Sequence, residues 1–319
     1  MAAASDRVRG VVRSPGGYAL VVGLYTPILL FADAYGPRSA QTVGAVVTWA
    51  LLAVVWLAVV RRERRQLVAV VCVATTIEVL CSIVWGLYVY RFDNLPLYVP
   101  AGHGLIYLLA LRLAALRSFG SPRAPWVAAG AVTAWAAGGL LLADRPDVAG
   151  AMLLPILLVC LLAGPHDRRR VYVGAFVATA SLEIVGTAFG NWAWQPVVPG
   201  TWFEIGMGNP PSAIAAGYCA LDMTVLALTG WYAGWQRRRP ATGQAQPSSP
   251  GRIGLPTARN MRPESVQVVA FDAFASASAA AAAAGPETTV QASSAGGATS
   301  STGHGFISPS VASSGAANA

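Results

Sequence analysis

Glu78 to His103 reads EVLCSIVWGLYVYRFDNLPLYVPAGH, and Glu183 to Pro211 reads EIVGTAFGNWAWQPVVPGTWFEIGMGNPP. Each stretch opens on a carboxylate inside an apolar run, passes through Gly-x-aromatic-x-aromatic, and breaks into a loop containing prolines. Setting Ala74-Thr75-Thr76 against Ala178-Thr179-Ala180, a shift of 104, brings Gly86 onto Gly190, Tyr88 onto Trp192 and Tyr90 onto Trp194. Glu78 and Glu183 miss each other by one position in this register, and a two-residue adjustment further on brings Gly102-His103 onto Gly208-Asn209. Aromatic belts at membrane interfaces account for single Trp or Tyr residues. They do not account for an acid a turn or two deeper followed twice by the same glycine–aromatic spacing. The chain therefore reads as an internal duplication.

Of the 319 residues, 55% are hydrophobic and only 11% charged, whereas a soluble domain carries about 25% charged residues. Apolar runs suited to a hydrocarbon layer about 30 Å thick fall near 17–36, 41–60, 66–86, 98–116, 126–143, 148–164, 171–189 and 211–235. These predict an all-α polytopic membrane protein of about eight transmembrane helices. The first four runs match the last four. Because an offset of four spans preserves direction, the two four-helix repeats, 17–116 and 126–235, are expected to be parallel.

All 22 basic residues are arginine. Arg7, Arg9 and Arg13, then RRERR at 61–65, Arg117 with Arg123, HDRRR at 166–170 and RRR at 237–239 fall in every second loop. The intervening loops hold Arg38, Arg91 and Arg145, each with an acid nearby. The positive-inside rule thus places both termini, including segment 1–16, in the cytoplasm of a cell-membrane protein. Short arginine clusters between apolar runs give the net charge of +8 no nucleic-acid signature. The basic start, apolar run and Ala32-Asp33-Ala34 imitate a secretory signal, but the duplication requires that helix to be retained. Segment 236–319, rich in Pro, Ser, Gly, Thr and Ala, has little to bury and is expected to be a disordered cytoplasmic tail.

Glu78, Glu183 and Asp222 lie within apolar runs, where an ionised acid costs at least ~2.5–3.5 kcal/mol and must face a partner or polar cavity. An interhelical hydrogen bond is the structural alternative, to which Asp222 is most open because the first half has no counterpart. On α-helical spacing Glu78, Ser82 and Trp85 share one face, as do Glu183, Thr187 and Gly190. His103 begins the fourth span at the same level. It is either a cap or a site residue. The four cysteines, Cys72, Cys81, Cys160 and Cys219, sit in apolar runs as packing residues. No metal-ligand spacing, phosphate loop or nucleophile motif is present, so no cofactor or metal is expected. Acids, aromatics and an enclosed apolar space suit acid-initiated chemistry on an alkene. A desolvated acid protonates the double bond, and Trp85, Tyr88, Tyr90, Trp192 and Trp194 offer faces to the cation, with Asn209 beside them.

The Glu-Gly-aromatic pattern at 74–100 and 178–211 resembles membrane-integral carotenoid and terpenoid biosynthesis proteins. These are the bacterioruberin-type hydratases and, more distantly, heterodimeric-type lycopene cyclases and small integral terpene cyclases. That resemblance implies an isoprenoid substrate, with Glu78 and Glu183 as acids and the Tyr and Trp pairs as the aromatic wall. The expected Pro-x-Glu-Glu of the cyclases is missing. Tandem bundles with intramembrane acids suit a proton-coupled transporter equally well, and a noncatalytic assembly or lipid-binding protein is a third reading. Oligomeric state is left open.

The topology is directly testable. Reporter fusions after Asp93 and Glu204 are expected to report the noncytoplasmic side and fusions after Glu63, Gly120 and Arg168 the cytoplasm. Cytoplasmic signals from both of the first two would overturn the orientation.

Overall fold

The computed structural model describes the backbone of residues 2–238 and the side chains of residues 6–235. The expected disordered tail lies outside the described residues, apart from the end of the last helix. The elements are α1 (Ala2–Arg13), α2 (Pro15–Tyr35), α3 (Arg38–Ala58), α4 (Arg61–Glu78), β1 (Tyr88–Tyr90), α5 (Val99–Ala114), α6 (Ala124–Leu141), α7 (Val148–Leu162), α8 (His166–Phe189), β2 (Trp192–Trp194) and α9 (Ala215–Arg238). A π-helix, Val79–Val84, continues α4.

Helices α2 to α9 lie where the sequence places its eight apolar runs. Five of them, α2, α3, α4 with its π-helical continuation, α6 and α8, are long and apolar enough to cross a membrane. Helices α5 and α7 are shorter apolar helices of 16 and 15 residues. The outward faces are as apolar as the core: Leu24, Ile28, Leu57, Ile83 and Trp126 are each more than half exposed. A surface of this kind is stable against lipid and not against water, which marks a multi-pass membrane protein. The fold is mainly helical, as expected, with one addition the sequence does not announce, the two-stranded ribbon β1–β2.

Local chemistry sets the helix ends. Ser14 caps α2, its Oγ accepting the Gly17 N–H at 3.2 Å, and Pro15 fills the first position, where no N–H is needed. At the arginine-rich end, Arg13 donates to the Ala58 carbonyl at 3.0 Å, and Arg64 donates to Val59 at 3.2 Å and Leu57 at 3.0 Å. These bonds satisfy the orphan carbonyls where α3 ends. Arg112 grips Glu63 through two nitrogens at 2.7 and 3.1 Å, a bidentate pair that ties α5 to α4. Arginines at this end thus serve as caps and clasps.

Side chains from α2, α3 and α5 form one core around Val22, Val55, Leu105 and Leu108. Helices α6 to α9 form another around Val132, Leu157, Leu161 and Cys219. Val70, Ala74, Tyr107, Leu221 and Val225 join α4, α5 and α9 between them. The four cysteines are free, with Cys160 and Cys219 buried.

At the opposite end, Asp33, which is only 1% exposed, binds the chain together. Its carboxylate accepts from Gln41 Nε2 at 3.1 Å, Tyr98 Oη at 2.8 Å and Asn191 Nδ2 at 2.9 Å. One residue of the supposed cleavage motif is therefore the anchor that fastens α3, the start of α5 and the turn before β2 onto α2. Arg91 adds bonds to the Asp33 and Gly36 carbonyls and stacks on Phe92. In the other half the buried Asp147 accepts from the backbone N–H groups of Gly150, Gly208 and Ser212 at 3.0, 2.8 and 2.7 Å.

Asp33→Ala strands three donors and is expected to cost about 3 kcal/mol. Thermal unfolding of the solubilised protein should show a clear fall for this variant and none for Asp6→Ala at an exposed position. Equal melting of both would contradict the anchoring role.

Candidate functional site

The site grows from two helix ends of matching design. Helix α8 stops at Gly190, which takes φ 74°, while Asn191 N–H reaches back to the Gly186 carbonyl at 2.9 Å. This left-handed turn is a common helix stop that glycine enters without steric cost. Gly86, with φ 73°, ends the π-helix that follows α4, and Leu87 N–H reaches back to the Cys81 carbonyl at 2.8 Å. Gly86 follows Glu78 by eight residues, whereas Gly190 follows Glu183 by seven. The π-helix absorbs the extra residue, because each i→i+5 closure takes one more residue than an α-turn. This accounts for the one-position offset between the two acids.

Past these glycines the chain forms β1 and β2, which pair antiparallel with Tyr88 opposite Trp194, Val89 opposite Ala193 and Tyr90 opposite Trp192. Gln195 N–H to Leu87 O at 2.8 Å and Arg91 N–H to Asn191 O at 2.9 Å extend the ladder by one bond at each end. Strand alternation turns Tyr88, Tyr90 and Trp192 inward and leaves Val89 and Ala193 exposed. Across the ribbon, the Tyr88 and Trp194 rings lie 4.5 Å apart and the Tyr90 and Trp192 rings 6.1 Å apart.

The inward aromatics reach the acids. Glu78 Oε2 accepts the Tyr88 and Tyr90 hydroxyls at 2.7 and 2.8 Å, and Oε1 meets His103 Nε2 at 2.8 Å. His103 Nδ1 in turn meets the Tyr218 hydroxyl of α9 at 2.7 Å. With the proton on Nε2, the chain runs from Tyr218 O–H to His103 and from His103 N–H to Glu78. Glu183 Oε2 accepts the indole N–H groups of Trp192 and Trp194 at 3.0 and 3.1 Å. Burial, and then the Glu78 charge, push the phenols of Tyr88 and Tyr90 well above their ordinary range. Both therefore stay protonated and act as donors.

Both carboxylates line one cavity of about 240 Å³ with a mostly apolar wall. Helices α4, α5, α8 and α9 contribute, and α2 and α3 add Tyr25, Leu29 and Thr48. The lining includes Glu78, Glu183, His103, Tyr88, Tyr90, Trp192 and Trp194.

Three residues expected at the site are not part of this wall. Asp222 is 2% exposed and is bound by Tyr107 Oη at 3.0 Å and Arg168 at 3.4 Å. It is a paired acid next to the arginine-rich start of α8. Trp85 donates to the Pro199 carbonyl at 3.0 Å. The spacing that aligned it with Glu78 assumed an α-helix, and the intervening turns are π-helical. Asn209 accepts the Trp194 backbone N–H at 3.0 Å and braces the ribbon. Tyr218 was missed. It lies inside an apolar run one helical turn before Asp222, and only the packing of α9 against α4 and α8 brings it to His103.

Gly186 makes the Glu183 arrangement possible, since a Cβ there would run into the Trp192 indole. Gly186→Leu is therefore expected to expel Trp192 from Glu183 and destabilise the protein by about 2–3 kcal/mol. A lower melting temperature with red-shifted tryptophan emission would register this. Gly130→Ala, whose methyl meets nothing within 4 Å, should behave as the unaltered protein.

Comparison with models of known protein families, with curated proteins and with solved structures finds no match to this chain.

Proposed function

We propose that this chain is an integral membrane enzyme that acts on an isoprenoid or related lipid by acid-initiated cyclisation, hydration or isomerisation. The observation that carries the reading is the pair of carboxylates, each held by two aromatic donors, on one shared and mostly apolar cavity. It accompanies a topology of eight spans with both termini cytoplasmic and two parallel repeats. Supporting the duplication, Tyr88 pairs with Trp194 and Tyr90 with Trp192, so that exchanging the equivalent residues of the two halves maps one pair onto the other, as a twofold axis requires. The π-helix supports it too, by restoring the spacing between acid and glycine.

The two half-sites differ chemically. Indole N–H groups only donate, so a proton on Glu183 can be passed on only into the cavity. Both indole bonds fall on Oε2, which leaves Oε1 to carry that proton. Glu183 is thus the acid: its O–H adds to one alkene carbon, the π pair forms the new C–H bond, and the neighbouring carbon becomes a cation. Aromatic faces stabilise such a charge by about 2 kcal/mol when dry. Tyr88, Tyr90 and the two indoles supply these faces. Glu78, filled by two phenols and an imidazole, orients His103. Tyr218 takes a proton from the cation's adjacent C–H, or from water adding to the cation, as its own proton moves to His103 Nδ1 and the Nε2 proton to Glu78. Once product leaves, the relay runs in reverse, Glu78 to His103 Nε2 and His103 Nδ1 to Tyr218, and the Tyr218 proton crosses the cavity to Glu183 Oε1, which resets the tautomer and closes the cycle.

One observation favours proton-coupled transport as the second reading. Tyr107–Asp222 and His103–Tyr218 are two hydrogen-bonded rungs between α5 and α9, one helical turn apart and leading from Arg168 to Glu78. Titratable groups in such a row are characteristic of proton relays.

Deletion of the gene, with complementation and profiling of lipids and pigments, decides between the readings. Accumulation of an unsaturated precursor and loss of one product is the expected result; trapping of unchanged product inside the cell would favour export. In the complemented strain Glu183→Gln should lower product formation at least about 100-fold while the protein still inserts and melts normally. Tyr218→Phe should lower it less. Full product yield from Glu183→Gln would remove Glu183 as the acid.

A further inference from the structure

A second concavity lies between α2 and α3 on the lipid-facing side, a groove of about 430 Å³ whose walls include Ile28, Val43 and Val47. These three side chains are 66%, 62% and 46% exposed. The groove and the carboxylate cavity share two wall residues, Tyr25 and Leu29. The Tyr25 hydroxyl bonds Thr48 Oγ1 at 2.6 Å across the α2–α3 seam. Thr48 Oγ1 also donates to the Gly44 carbonyl at 2.6 Å, so Tyr25 is the donor in the seam bond. Leu29 is seated over Gly44: a Cβ there would lie 2.6 Å from Leu29 Cδ1. Thr48 already faces the cavity. One hydrogen-bonded phenol and one leucine in a glycine notch therefore form the partition between the two spaces.

We propose that the α2–α3 groove is the entry and tail-binding site for a linear apolar chain drawn from the bilayer, with Tyr25 and Leu29 as the gate into the carboxylate cavity. The proposal rests on reading that cavity as a lipid-reacting site. Energetics decide the route. Moving apolar chain from hydrocarbon into water costs about 0.8 kcal/mol per CH₂, so a twenty-carbon chain entering through the aqueous side would cost roughly 16 kcal/mol. Passage along a lipid-facing apolar groove avoids that cost. It also explains how a cavity near the small end of the ligand-site range, about 300 Å³ and upward, serves a long substrate. Only the reacting end passes the gate, and the remainder lies in the groove. Pro27, two residues from both Tyr25 and Leu29 within α2, removes a helix hydrogen bond beside the gate and eases its movement.

The test follows entry without any reaction. The full-length protein is reconstituted in vesicles and mixed with a dibrominated octadecane, and tryptophan quenching is recorded by stopped flow. Lipid-facing indoles such as Trp126 are quenched at once, whereas the cavity indoles Trp192 and Trp194 are expected in a separate slow phase. That phase is assigned by its loss in the Trp192→Phe/Trp194→Phe double variant. Filling the groove with Val43→Phe/Val47→Phe, which leaves the cavity wall untouched, should slow the phase about tenfold or more, and Leu29→Ala should speed it by a similar factor. Because the readout involves no reaction, its failure is separate from failure of the acid assignment, which the product yield of Glu183→Gln decides. An unchanged slow phase in both gate variants, or cavity indoles that the probe never quenches, would overturn the proposal.

Discussion

A carboxyl group inside a hydrocarbon layer finds no water, so the protein must supply every donor it needs. Much of the architecture around the cavity follows from meeting that need twice. Each acid sits less than three turns before its helix ends, and the chain then doubles back so that a strand presents two aromatic donors to it. Strand geometry makes this work: positions two apart face the same way, so Tyr88 and Tyr90 both reach Glu78, and Trp192 and Trp194 both reach Glu183. The exposed backbone of each strand would itself be a liability in an apolar setting. Pairing β1 with β2 removes it.

The same economy ties the two halves together. Neither strand could stand alone, since each is three residues long. Asn191 bonds the Leu30 carbonyl and the Asp33 carboxylate from the far half of the chain. Asp33 is thus structural support for a site to which it contributes no cavity atom. Damage there would reach Glu183 through Asn191 and the strand that follows it.

Equivalence of position does not bring equivalence of chemistry. A phenol accepts as well as donates, whereas an indole only donates, so Tyr88 and Tyr90 beside Glu78 keep an acceptor lone pair that Trp192 and Trp194 beside Glu183 lack. His103 and Tyr218 extend only the Glu78 side. In the second half Asn209 stands where the first has His103, and it bonds to backbone instead. The two acid sites thus differ in their hydrogen-bonding partners although their glycine–aromatic spacing matches.

By itself the sequence determined what depends on local composition and spacing: apolar runs, arginine loops, and the recurrence of acid, glycine and paired aromatics. Glu78, Glu183 and their four aromatic neighbours were legible because period, charge and type all pointed to them together. Tertiary structure decided what depends on distant segments meeting. It put Tyr218 beside His103, gave Asp33 three donors from three separate elements, and assigned Asp222 to Arg168 and Tyr107. It also turned Trp85 away from the cavity through a π-helix, which no α-periodic reading anticipates, because one inserted residue changes the turn without changing the apolar composition. Partners of buried polar groups are chosen by packing, and apolar runs of similar composition carry almost no record of which faces will touch.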